Sequence, residues 1–286
     1  MTRPDVDAAA QFLAASARIL DRRRFECLFR GGPAAAVRDA VAAYRTADGG
    51  FGHALEPDCR APGSQPGTIE VALRVLDECG AWDRGLVAGA CDWLAAHAPS
   101  EGGAVFVDPS IAGWPHAPWW EPQPDLRASL IATGRVAGTL LARGVEHPWL
   151  GGAVPWLWKE IESLPGSGVA LGPYDLFGVI NFLQHTPDRA RASGVLPAVG
   201  EQVHHALAAS DEGMSLLDFA ALPGSIGRAW FTPGEVEAAL DRLAAGQQDD
   251  GGWTFGWPAW SPVAAADWRG AVTVDALRIL RDNSRL

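Results

Sequence analysis

Lysine is almost missing from this chain. Of its 23 basic residues, only Lys159 is a lysine, leaving 22 arginines. The bias reads as genome composition, not function. Positive charge is scarce as a whole: the net charge is −11 and no basic run offsets it. That excludes nucleic acid and anionic membranes as expected partners. No run of about 18 or more apolar, uncharged residues is present, so no transmembrane helix is expected. Met1-Thr2-Arg3-Pro4-Asp5 lacks the charged-then-apolar pattern of a signal peptide, and the expected location is the cytoplasm. The four cysteines have no CxxC spacing and are expected to be reduced, small and buried. The seven histidines show neither HExxH nor Cys/His ligand spacing, so no metal and no cofactor are expected. Gly-x-Ser-x-Gly, the P-loop and Gly-x-Gly-x-x-Gly are all missing, which disfavours serine hydrolases, NTPases and dinucleotide enzymes. Strand patterns are nearly absent too; Ala104–Val107 is the one short extended piece expected.

Tryptophan and repetition are what the chain has instead. Thirteen tryptophans are present, in clusters around Trp114–Trp120 and Trp253–Trp268. Asp48-Gly49-Gly50-Phe51 leads through a Pro-rich loop to a segment ending Ala72-Leu73-Arg74-Val75-Leu76. Asp250-Gly251-Gly252-Trp253 leads in the same way to Ala276-Leu277-Arg278-Ile279-Leu280. The two spacings differ by two residues. Such a repeat predicts stacked helical hairpins, and like units at both ends predict a ring that closes on itself. Helical periodicity is expected over residues 5–20, 23–29, 33–44, 66–79, 84–97, 125–143, 148–163, 173–185, 188–209, 233–245 and 265–282. With 48% hydrophobic residues in 286 and no divisive linker, one all-α domain spanning residues 1–286 is expected. Long Gly-, Pro- and aromatic-rich loops around Phe51–Asp58, Trp114–Trp120 and Trp257–Trp260 are expected to meet at one mouth.

Gln248-x-x-Gly251-x-Trp253 resembles the QW repeat of terpene cyclases. Asp48-Gly49-Gly50-Phe51-Gly52 with Gln65-Pro66-Gly67-Thr68, and Asp125-Leu126-Arg127-Ala128-Ser129, resemble segments of protein prenyltransferase β subunits. Asp267-Trp268-Arg269-Gly270 lies where those subunits carry Asp-Phe-Tyr-His. The resemblance covers about residues 40–145 and 235–283 and implies an α/α toroid with a Trp-lined central cavity. The chain departs from the family in its chemistry. Gly270 stands at the zinc-binding His position, and no Asp-x-Cys pair accompanies it. Asp-x-Asp-Asp and Asp-Asp-x-x-Asp are missing as well.

The candidate catalytic residues are therefore carboxylates in loops. Glu56 and Asp58 are close enough to divide acid and base roles if a pocket raises one pKa; the plainer alternative is helix capping or pairing with Arg60. Asp125 and Asp267 are each expected at a helix start, where capping is the ordinary role. Arg127 and Arg269 accompany them and suit an anionic substrate group. His53, Trp119, Trp120, Tyr174, Trp257, Trp260 and Trp268 are expected to line the substrate site. Asp175, Asp218 and Asp250 are expected to cap turns or helices. The leading expectation is a cyclase-like enzyme or binder of a small hydrophobic, isoprenoid-like molecule, in which indole faces stabilise a cation. A non-catalytic binding or scaffold toroid, and a carbohydrate-active hydrolase or lyase, are the alternatives.

Overall fold

Side chains of Asp5, Asp83, His147, Asp188, Thr232 and Ser261 cap the starts of helices. The computed structural model describes residues 3–164, 168, 170–210 and 213–286. Among the described residues the chain is all-α, with eleven α-helices. They are α1 (Val6–Ser16), α2 (Ile19–Arg30), α3 (Ala34–Ala42), α4 (Pro66–Glu78), α5 (Arg84–Ala96) and α6 (Leu130–Ala142). The rest are α7 (Pro148–Ser163), α8 (Pro173–His185), α9 (Arg189–Ala209), α10 (Pro233–Ala245) and α11 (Pro262–Asp282). Extended pairing among the described residues is confined to three isolated bridges: Arg45 with Phe51, Cys59 with His116 and Val105 with Ala128. The last of these is the extended piece expected near Ala104–Val107. The chain falls into two compact units: Met1–Ala43, Glu78–Ala81 and Asp211–Leu286 form one, Tyr44–Asp77 and Trp82–Ser210 the other.

Three helix boundaries differ from expectation, each for a local reason. The stretch expected as one helix over residues 5–20 breaks at Ala17 and Arg18, both extended in ψ. The break lets Arg18 reach Asp21 at 2.9 Å, while Arg22 Nε donates to the Ala17 carbonyl at 2.9 Å. The helix expected from Asp125 starts at Leu130 instead. Residues before it are held extended by the Val105–Ala128 bridge and by Ser129 N–H donating to the Ala104 carbonyl at 2.8 Å. The last helix starts early, at Pro262, because Ser261 caps it by accepting from Ala264 N–H at 3.1 Å.

A Gly-Gly turn tied to a helix threonine recurs in the second unit and again in the first. Gly49, Gly102 and Gly251 have φ of +93°, +94° and +89°, values L side chains rarely adopt. Each donates its N–H three residues back, to Thr46, Pro99 and Gln248 at 3.2, 2.9 and 2.8 Å. Each presses on the backbone of another helix, at Gly89 of α5, Gly152 of α7 and Ala8 of α1 respectively. A buried threonine then ties down the residue after the pair. Thr68 of α4 donates to the Phe51 carbonyl, Thr133 of α6 accepts Ala104 N–H at 2.9 Å, and Thr273 of α11 accepts Trp253 N–H at 2.9 Å. The middle copy, Glu101-Gly102-Gly103-Ala104, escapes the sequence pattern because it lacks the aromatic. In the first unit, the last turn therefore takes α1, the first helix of the chain, as its neighbour.

That unit packs α1, α2 and α11 around Phe12, Leu13, Phe25, Trp253, Val274 and Leu277. Within it lies a buried charge network. Arg24, 1% exposed, bonds Glu78 at 2.5 Å, Asp275 at 2.6 Å and Asp21 at 3.2 Å. Burial opposes the Arg24 charge, but the three carboxylates outweigh it and hold the guanidinium well above its ordinary range. In the second unit, α6 and α8 touch backbone to backbone: a Cβ on Gly178 would collide with the Leu130 carbonyl, and one on Gly134 with that of Gly178.

Three substitutions check this account by urea denaturation. Arg24→Met leaves buried carboxylates without their cation and is expected to cost about 3–5 kcal/mol. Gly31 has φ of +70° with open space around it, so Gly31→Ala is expected to cost about 1 kcal/mol. Gly251→Ala adds a collision with the Ala8 carbonyl and is expected to cost at least about twice as much.

Candidate functional site

The first long loop is laid out by backbone strain. His53 and Ala54, neither of them glycine, adopt φ of +55° and +62°. Two consecutive left-handed residues cost on the order of 1–3 kcal/mol each and persist only where the surroundings enforce them. Here His53 N–H donates to the Ala61 carbonyl at 3.0 Å and Leu55 N–H to the Gly52 carbonyl at 3.1 Å, and Leu55 is fully buried. The bend delivers Glu56 and Asp58 into the protein, 7% and 5% exposed. Glu56 Oε2 accepts Asp58 N–H at 2.6 Å, which fixes the spacing between the two acids.

The Trp114–Trp120 loop then lies along this one. Arg60 N–H donates to the Pro115 carbonyl at 3.0 Å, Ala117 N–H to the Asp58 carbonyl at 2.8 Å, and Cys59 pairs with His116. This register carries Trp119 over the acid, where its indole N–H donates to Asp58 Oδ2 at 3.2 Å. Trp119 stays 42% exposed, and Trp114 nearby 48%. Trp120 points the other way: it is buried against Gly67 at the start of α4 and tilts on Phe106 with centroids 5.5 Å apart. Gln65 supports the pair of loops from below. Its amide accepts Asp108 N–H at 2.8 Å and donates to the Asp108 carbonyl and Ser110 Oγ, both at 3.1 Å. The loops around Phe51–Asp58 and Trp114–Trp120 thus meet as expected; Trp257–Trp260 belongs to the other unit.

Several expected site residues do other work. Asp125 caps no helix. It sits in an exposed turn and pairs with Arg127 at 2.5 Å, because this stretch is not helical. Leu126 between them has φ of +44°. Asp267 and Arg269 lie inside α11 and not at its start. Arg269 is bound to Asp250 through both oxygens, at 2.7 and 2.8 Å, and its guanidinium lies 4.5 Å from the Phe12 ring centroid. Arg269 in turn holds the Asp250 carboxyl below the usual carboxylate range. Asp250 also accepts Gly252 N–H at 3.1 Å, the capping role expected of it. Asp218 closes a capping box with Ser215, likewise as expected.

His53 is exposed. Tyr174, 43% exposed, meets Phe177 edge-on at 5.7 Å. Its neighbour Asp175 bonds the backbone of Ile131 in α6, and burial pushes its carboxyl up. Trp257 stacks on Phe255 at 4.6 Å and meets Trp268 edge-on at 5.1 Å. Trp260 Nε1 is buried without a hydrogen-bond partner among the described residues. Beside this cluster an open, polar cleft of about 590 Å³ is lined by Gln247, Gln248, Asp249, Asp250, Thr254 and Arg269. Gln247 there clamps Asp5 at the start of α1, accepting its N–H at 2.7 Å and donating to its carbonyl at 2.8 Å. Sequence reasoning missed His116 and Glu121, which flank Trp119. A contact between residues five apart in a loop follows no helix or strand period, so the pattern carries no signal of it.

No protein-family profile and no curated protein matches the chain. Among solved structures it is similar to that of a protein from Actinoplanes, at 17% identity and a TM-score of 0.57, over 98% of this chain and 89% of the other. At that identity the likeness concerns the fold alone.

Three of the four thiols are buried. Burial pushes Cys59 up to about 11 and both Cys79 and Cys91 up to about 12. A thiolate-selective reagent at pH 8 is expected to label half-buried Cys27 first, leaving the other three protected until urea unfolds the chain. Peptide mass spectrometry of the labelled protein reads this directly.

Proposed function

We propose that the chain is an α/α toroid of the terpene cyclase and prenyltransferase type that acts on an isoprenoid-like molecule carrying no diphosphate. Asp58 is its acid–base group, Glu56 holds Asp58 in place, and Trp119 covers it. The observation that carries this reading is a buried carboxylate under an indole, reached from an exposed aromatic rim. Three Gly-Gly turns, each set against a helix backbone, support the repeat. In this reading Asp58 carries the proton that starts the reaction. Asp58 gives that proton to an alkene carbon, indole faces stabilise the resulting carbocation, and Asp58 takes a proton back when the cation collapses to product. The two arginines that suited a diphosphate are bound to Asp125 and Asp250.

Incubation with uncharged polyprenes and with prenyl diphosphates, followed by gas chromatography, tests this. Product is expected from the uncharged set, and Asp58→Asn is expected to lose about 10²–10⁴-fold in rate while keeping its circular dichroism spectrum. Full activity in that variant rejects Asp58 as the acid. A non-catalytic binding role is the second reading, favoured by the indole N–H that already occupies one Asp58 oxygen. Native mass spectrometry that finds a copurified lipid unchanged after incubation would select it.

A further inference from the structure

The turn that carries Trp119 is fastened by a histidine the acid–base reading leaves unused. His116 is 17% exposed in its side chain. Its Nδ1 lies 2.7 Å from the Trp114 carbonyl oxygen and its Nε2 lies 3.0 Å from Glu121 Oε1. A carbonyl and a carboxylate both accept, and neither has a proton to offer. A neutral imidazole owns one N–H and satisfies one of the two; only the imidazolium satisfies both. The clasp spans the turn in which Trp120 N–H donates to the Ala117 carbonyl at 2.9 Å and from which Trp119 reaches Asp58.

The facing segment carries the ionisable groups Glu56, Asp58, Cys59 and Arg60, with the Cys59 backbone paired to His116. The charge acting on the ring is that of Glu121, from its own loop. Burial disfavours the imidazolium, but the hydrogen bonds to Glu121 and Trp114 and the Glu121 charge outweigh it, so His116 keeps its proton above the ordinary histidine range.

We propose that His116, as an imidazolium, is a positioning residue: it clasps the Trp114–Glu121 turn and so holds the Trp119 indole on Asp58, and it releases that indole as the pH rises. The folded-state affinity of the ring for its proton exceeds the unfolded one. The clasp is therefore complete below a pH of about 6.5 and is lost as pH climbs through the higher folded value. The proposal concerns the unliganded loop, so it stands or falls separately from the reaction assigned to Asp58.

The test is two-dimensional NMR of the ¹⁵N-labelled full chain, without substrate, across the neutral pH range. The Trp119 indole N–H is assigned by Trp119→Phe and the His116 ring nitrogens by His116→Gln. The indole resonance is expected to titrate in one step, with the same midpoint as the His116 ring and above the ordinary histidine value. In His116→Gln that step is expected to vanish. Glu121→Gln changes an exposed side chain and removes the charged acceptor while leaving the fold, so it is expected to lower the midpoint. An indole that does not titrate, a step that persists in His116→Gln, or a midpoint unmoved in Glu121→Gln overturns the proposal.

Discussion

Everything in this molecule hangs on a backbone pressed against a backbone. At Gly102 and Gly251 a turn with positive φ lies so close to a helix that a side chain has no room, and at Gly49 the approach is nearly as tight. Only glycine combines that conformation with that approach. The contact fixes where the following loop leaves the helix, and the threonine one helix later fixes where it returns. A loop anchored at both ends can be long and irregular in between without loosening the scaffold. Glu56, Asp58 and their neighbours are carried on such a loop.

The scaffold tolerates charge where it is saturated with partners. Three arginines, Arg18, Arg24 and Arg278, meet three carboxylates, Asp21, Glu78 and Asp275, in the first unit. The desolvation of so many charges is large, and a balanced network offsets it only while every member is present. One corner is imperfect: Arg278 Nε and Glu78 Oε2 stand 3.7 Å apart, and both lack a hydrogen-bond partner among the described residues. On α4, Glu70, Arg74 and Glu78 recur every four residues, so one stripe of that helix is polar. In the second unit Glu70 accepts from Arg135 at 2.9 Å and Arg74 at 3.3 Å.

The sequence was most legible where periodicity governs. Helices α7, α8 and α10 begin and end where the apolar spacing and their first-turn prolines put them, because burial of one face and a fixed φ act locally. The all-α class followed from the same signal. Legibility failed where a distant residue decides. Nothing in residues 125–129 announces that Val105 and Ala104 hold Ala128 and Ser129 extended. Nothing around Arg269 tells that Asp250, nineteen residues earlier, already occupies it. The middle repeat hid because it has the geometry, Gly-Gly plus threonine, but carries Ala104 where the other two copies have the aromatic that makes them visible. Of the candidate site, Glu56, Asp58 and Trp119 were legible by type and by loop; the histidine clasp beside them was not.

Symmetry in the scaffold makes the asymmetry of the loops informative. After each Gly-Gly pair the same turn forms, yet the acids that open the first and last copies have different partners. Asp48 is held below the usual range, despite burial, by the hydroxyls of Thr46 and Ser64, and Asp250 by Arg269. Both are consumed in closing their turns. Chemistry that needs a poised carboxylate must therefore come from residues the repeat does not specify. The first loop supplies Glu56 and Asp58, at the cost of two strained residues, His53 and Ala54. No requirement of the helical array calls for that strain. Its consequence is to hold two acids, one hydrogen-bonded to the backbone of the other, beneath an indole that remains in contact with solvent; strain of this kind persists only where the surroundings enforce it.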